Sequence, residues 1–148
     1  MQKGQAIIEF VFLILIIVVY LVSVTMPMVK DTQNIIQDTE NVTRANNECQ
    51  KITNSIKEIN LFGEGSKQNL ILFVPNNTNI NCDNTNGISF ETQLTQTPFP
   101  RECENGICTK NFATSTLLDC NVKQIRGPQK ITVTIQKTSG FVAFLRSE

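Results

Sequence analysis

Residues 6–29, AIIEFVFLILIIVVYLVSVTMPMV, form an apolar run broken by a single acid, Glu9. About 20 such residues are enough to cross a bilayer as a helix. The ten residues 10–19 are apolar on every face, so they do not read as a one-sided helix of a soluble core. The run is also too long for the 7–15-residue apolar core of a secretory signal peptide, and no A-x-A-like cleavage site follows it. A plain signal anchor fits the length but leaves Glu9 without a role. A carboxylate at the bilayer centre costs about 2.5–3.5 kcal/mol on insertion scales, and by default calls for a functional reading. Here the acid sits close to the expected cytoplasmic edge, behind a polar head, MQKG, whose one charge is Lys3.

The remainder, roughly 120 residues, is enough for one small domain with a modest core. The formal net charge is zero and no Lys/Arg block stands out, so a nucleic-acid partner has no electrostatic support. Five cysteines behind an export segment point to disulfides in an oxidising exterior. Histidine is absent, which removes Ser/His/Asp and Cys/His nucleophile arrangements; with no second CxxC either, nothing completes a zinc site from a half-site at Cys103 and Cys108. We therefore expect a chain that is not an enzyme and holds neither cofactor nor metal.

Lys30 and Asp31 mark the expected membrane exit. Pro27 just before them predicts a kink or local melting near residues 24–26. Beyond, Ile35, Val42, Cys49, Ile52, Ile56 and Ile59 fall at heptad-like spacings, one apolar stripe set against a globular head. Gly63 and Gly65 stop the helix. At 1.5 Å per residue, a helix over 5–61 makes a rod of about 85 Å.

After Gly65 the period changes to two. NLILFV at 69–74 is apolar on both faces and reads as a central strand. Residues 76–86 read as an Asn-rich loop. Ile88, Phe90 and Leu94 mark a half-buried strand, and Pro98 and Pro100 break the chain. KITVTIQK at 130–137 alternates cleanly, turns at 138–140 and returns over 141–145 as an antiparallel partner. The expected fold is α+β: a long N-terminal helix packed by its C-terminal half against a small antiparallel β-sheet head. The expected segments are a leader over 1–4, an apolar helix over 5–29, its amphipathic continuation over 30–62 and the head over 63–148.

Two motifs carry local geometry. In CENGIC, at 103–108, Asn105-Gly106 is a two-residue hairpin turn that sets Cys103 opposite Cys108 in a non-hydrogen-bonded pair. Cα atoms in such pairs lie about 4.5 Å apart, at the short end of the disulfide range. One of these cysteines could instead bond Cys82 or Cys120, since sequence does not fix connectivity. We pair Cys82 with Cys120 and leave Cys49 on the helix stripe. Asn41-Val-Thr43 and Asn76-Asn-Thr78 match the N-glycosylation pattern, with Asn76 in the expected loop. GEGSK at 63–67 lacks the first Gly and the preceding strand of a phosphate loop, and reads as a helix stop.

Lys3-Gly4-Gln5, followed by Glu9 and Leu13, resembles the class III signal peptide of archaeal type IV pilins. Ile7 stands where members of that family often have Ser. The string GQAIIEF also resembles small pseudopilins of bacterial tight-adherence systems. The resemblance covers about 30 residues. It implies cutting between Gly4 and Gln5 by a prepilin peptidase, with Lys3, Gly4 and Gln5 as the processing site. It further implies that Gln5, Glu9 and Leu13 serve assembly, and that the retained helix joins a homopolymer, with other pilins, at the cell surface after storage in the membrane. The open alternatives are a tight-adherence pseudopilin and a single-pass surface binding protein that never polymerises.

Overall fold

A computed structural model of the chain describes residues 2–85, 87–95, 103–114 and 116–147, the side chains of residues 2–7, 146 and 147 excepted. The chain divides into two compact units, residues 1–36 and residues 37–148. One element, α1 (Gln2–Leu61), supplies all of the first and the start of the second.

The first unit is helix alone among its described residues. The large apolar side chains between Ile8 and Val29 are 41–67% exposed. The hydroxyls of Ser23 and Thr25 donate to the carbonyls of Val19 and Leu21, at 2.7 Å each, so these polar groups are satisfied within the helix. The melting expected near residues 24–26 does not occur. Helix continues through Pro27, which removes one backbone bond while the turns on either side keep theirs.

The second unit is α+β, the second half of α1 laid against a head with nine strands among the described residues. In chain order these are β1 (Lys67–Val74), β2 (Thr78–Asp83), β3 (Gly87–Gln93), β4 (Cys103–Glu104), β5 (Ile107–Phe112), β6 (Leu118–Cys120), β7 (Gln124–Arg126), β8 (Gln129–Thr138) and β9 (Phe141–Ser147). They form not one sheet but two, in the orders β1-β8-β9-β6 and β4-β5-β3-β2-β7. All pairs are antiparallel except β6 with β9. The chain between those two strands passes through β7 and β8, which gives the long crossover that parallel pairing needs. Both sheets and the helix share one core, whose large, fully buried members include Phe90, Phe144, Ile52, Ile56, Leu72 and Ile135.

The helix stripe differs from its expected membership. Ile35 lies in the first unit and is exposed, whereas Ala45 is fully buried and Asp38 is buried at the stripe's start. Asp38, Val42, Ala45, Cys49, Ile52, Ile56 and Ile59 alternate steps of four and three, which keeps one face toward the sheets. Asp38 is tolerated there because its carboxylate accepts from Thr95 N at 2.7 Å and Thr95 Oγ1 at 2.9 Å.

NLILFV is not a central strand. It belongs to β1, an edge of the four-stranded sheet, with Leu70, Leu72 and Val74 inward and Ile71 and Phe73 exposed. Lys51 from α1 donates to Ile71 O at 2.9 Å, and Lys130 Nζ lies 5.3 Å from the Phe73 ring centroid. These two cations blunt an edge that is apolar on its outer face. Nor are residues 76–86 one loop. Thr78, Ile80 and Cys82 point inward as β2, and the Asn residues between them take the outer face. The expected alternation of Ile88 and Phe90 continues inward to Thr92, and Leu94 lies beyond the strand. Pro98 and Pro100 fall outside the described residues. The hairpin of β8 and β9 forms in the expected place, with Ile131, Val133 and Ile135 buried.

Candidate functional site

Two regions carry the candidate residues. In the first unit, Glu9 and Leu13 are four positions apart on α1, one turn along the same side, and both are exposed. Lys3, Gly4 and Gln5 belong to α1, and their side chains lie outside the described residues. The helix is long and apolar enough to anchor the chain in a membrane. Glu9 is the single charge in its apolar part, because no other Asp, Glu, Lys or Arg occurs between Gln5 and Val29.

In the second unit the cysteines are joined in two bonds and one is left over. Cys82 and Cys120 are bonded, with Cα atoms 5.7 Å apart. They lie on β2 and β6, so the bond ties one sheet to the other. Asn84 Oδ1 accepts from Cys120 N at 3.1 Å and Cys82 N donates to Lys123 O at 2.9 Å, which seat both ends. Cys103 and Cys108 are bonded across a register pair of β4 and β5, at a Cα separation of 4.2 Å. The turn between them has φ of 52° at Asn105 and 79° at Gly106, the left-handed pair that a tight primed turn requires. Cys49 is free and buried. Burial, with the Glu48 charge beside it, pushes its thiol up to about 12. A buried thiol held neutral is a poor nucleophile. No group of three His, Cys, Asp or Glu among the described residues is placed to hold a metal ion.

The two sequons differ. Asn76 is exposed in the turn between β1 and β2, and the hydroxyl of its Thr78 is buried, 3.0 Å from Thr92 Oγ1. Asn41 is half-buried in the middle of α1. Sequence patterning missed Lys137 altogether. Its amine reaches from β8 to the end of the helix, donating to Asn60 O at 2.6 Å and Phe62 O at 2.8 Å. It caps carbonyls that have no partner inside the helix, and places a cation at the negative end of the helix dipole.

Comparison with protein-family profiles, curated proteins and solved structures finds no match to this chain.

Proposed function

We propose that the chain is a structural subunit of a type IV-like pilus: cut after Gly4, held in the membrane, and polymerised through its N-terminal helix. The observation that carries this reading is the uncovered apolar surface from Ile8 to Val29, interrupted only by Glu9 and followed by a disulfide-bonded head. Lipid tails are as apolar as leucine, so moving such a helix from bilayer to filament gains little hydrophobic energy. Association comes instead from packing and polar pairing. Residues 10–22 contain no Gly or Ala, so the helices interdigitate branched side chains rather than approaching backbone to backbone. Heterologous contacts that do not close on themselves give a helical filament.

Cutting after Gly4 frees the α-amine of Gln5, a cation below a pKa of roughly 8. Glu9 is then its partner, within one subunit or between neighbours in the stagger. Removing one member of a buried pair costs about 3–5 kcal/mol, because the other charge is left stranded. Glu9→Leu should therefore insert and be processed but assemble poorly, as read by electron microscopy with a blot for processing. Abundant normal filaments from that variant would remove the charge-pairing mechanism. Sequencing the native N-terminus tests the reading as a whole. A mature chain starting at Gln5, and its loss in Gly4→Val, support it; a chain starting elsewhere, or unaffected by Gly4→Val, favours an anchored protein that does not polymerise.

A further inference from the structure

The outer face of the five-stranded sheet ends in a cleft of about 370 Å³, within the range of roughly 300–1,000 Å³ typical of small-ligand sites. Its lining includes Asn77, Asn79, Glu91, Gln93, Ile107, Arg126 and Pro128. Strand register sets these side chains in rows. Arg126 lies beside Asn79 and Asn79 beside Glu91, while Gln93 lies beside Ile107. Their neighbours along each strand, Ile80, Phe90, Thr92, Cys108 and Ile125, point into the core, so the outer residues cannot turn inward to be satisfied. The side chains of Asn77, Asn79, Glu91 and Gln93 make no hydrogen bond to another described residue. Glu91, which is half-buried, pairs with no described cation.

The frame around these groups is firmly held, unlike the groups themselves. Gly127 N donates to Thr78 O, Gln93 N to Asn77 O and Leu94 N to Gly106 O, each at 2.8 Å. A Cβ at Gly127 would lie 1.8 Å from Pro75 O, so two connections pass each other closer than any side chain permits. The hairpin carrying Ile107 is closed by the Cys103–Cys108 bond. That loop is short, so the bond removes only about half as much unfolded-chain entropy as the Cys82–Cys120 bond. Local rigidity at the cleft is the better account of it, because a preformed site loses less on binding.

We propose that this cleft binds neutral carbohydrate. Three amides present donors and acceptors side by side, matching vicinal hydroxyls, which both donate and accept. Glu91 and Arg126 add one acceptor and one donor of full charge whose signs cancel, which disfavours phosphate, sulfate and sialic acid. A single carboxylate does not make a cation site. Ile107 and Pro128 supply the aliphatic contact that the C–H face of a sugar ring needs. The cleft lies wholly within the second unit, so this assignment holds whether or not the chain polymerises.

The test uses the full chain in a sugar-free zwitterionic detergent. The probe is an array of neutral hexose- and N-acetylhexosamine-terminated oligosaccharides, with sialylated and sulfated glycans and a peptide library as the other arms. Neutral oligosaccharides should be retained. Titration with the best of them should weaken at least tenfold in Asn79→Ala and in Glu91→Gln, with melting temperatures unchanged. Asn111→Ala, on the same sheet face but outside the cleft, should stay within twofold. Retention of no neutral glycan, preference for anionic glycans or peptides, equal loss in Asn111→Ala, or undiminished binding in both cleft variants would overturn the assignment.

Discussion

Residues 8–29 and residues 38–59 belong to one helix, yet they meet their surroundings in opposite ways. The first stretch is apolar around its whole circumference and leaves every large apolar side chain exposed. The second is apolar along a single stripe and buries most of that, Val42 only in part, while Glu40, Arg44 and Lys57 stay exposed on other faces. Backbone geometry is shared, so the difference lies in side-chain placement alone. An all-round apolar helix needs an apolar environment supplied from outside the chain; a striped helix carries half of its own core with it. The contrast sharpens into an expectation about the same chemical change made twice. Ile52→Ala, in the full chain in mild detergent, should lower the head's unfolding free energy by about 2–5 kcal/mol, the range for buried Ile→Ala. Ile16→Ala, in the uncovered stretch, should leave it unchanged within error. Denaturant titration followed by circular dichroism of the β-rich head would reveal equal losses, and equal losses would mean that the two stretches are not energetically distinct.

The second unit also contains its own comparison, between two disulfides. Cys82 and Cys120 are 38 residues apart in sequence and Cys103 and Cys108 only 5. Loop-closure entropy then assigns about 4 kcal/mol to the first bond and about 2 kcal/mol to the second. The first also links the two sheets, so Cys82→Ala/Cys120→Ala should cost more than Cys103→Ala/Cys108→Ala by about 2 kcal/mol. Thermal melts of the two double variants read the difference, and the reverse order would show that the sheets are held together chiefly by their shared core.

Cys49 extends the comparison to alkaline pH. Its thiol titrates near 12 in the folded chain against 9.0 ordinarily. Between these values the unfolded chain has released the proton and the folded chain has not. Stability is therefore complete below pH 9 and falls as pH rises toward 12, by about 1.4 kcal/mol per unit at most. Cys49→Ala should show a shallower decline than the parent over pH 9–11. Ellman's reagent at pH 8 should find no reactive thiol until denaturant is added. A thiol titratable in the native chain would contradict the burial of this side chain.

How far these features were legible in sequence depends on whether a local pattern or a remote partner decides them. The β8–β9 hairpin, the Asn105-Gly106 turn and the buried Cys49 are decided by near neighbours, and each was readable. β2 was hidden because Asn is a poor strand former, although Thr78, Ile80 and Cys82 do alternate; the signal sits in the inward residues, while composition is dominated by the outward ones. The edge position of β1 could not be read, because an apolar outer face is compatible with a covered strand or with one whose edge is blunted by Lys51, 20 residues earlier. Nothing in the local pattern singles out Asp38; only Thr95, 57 residues on, makes it a stripe residue. At the candidate site, Glu9 was visible because a lone acid in an apolar run needs no context. The cleft residues were not, since they are ordinary polar residues until strand register lines them up.

Lys137 gives the smallest effect and the sharpest local test of where the striped half ends. Its amine joins Asn60 O and Phe62 O, so a residue of β8 closes the last turn of α1. The side chain is half-buried, which screens the interaction only in part. Each accepted bond satisfies a carbonyl that the helix itself leaves open, and the charge opposes the negative end of the dipole, worth about 0.3–1 kcal/mol at such a site. Lys137→Met keeps most of the aliphatic stem and removes the donor. It should lower the unfolding free energy by about 1 kcal/mol, and Lys137→Arg should recover part of it. Amide exchange adds a readout that overall stability does not, because protection at residues 59–61 should fall in Lys137→Met while protection near residue 16 stays as it was. If both variants exchange like the parent at the helix end, the terminus is held by the packing of Ile59 rather than by the lysine.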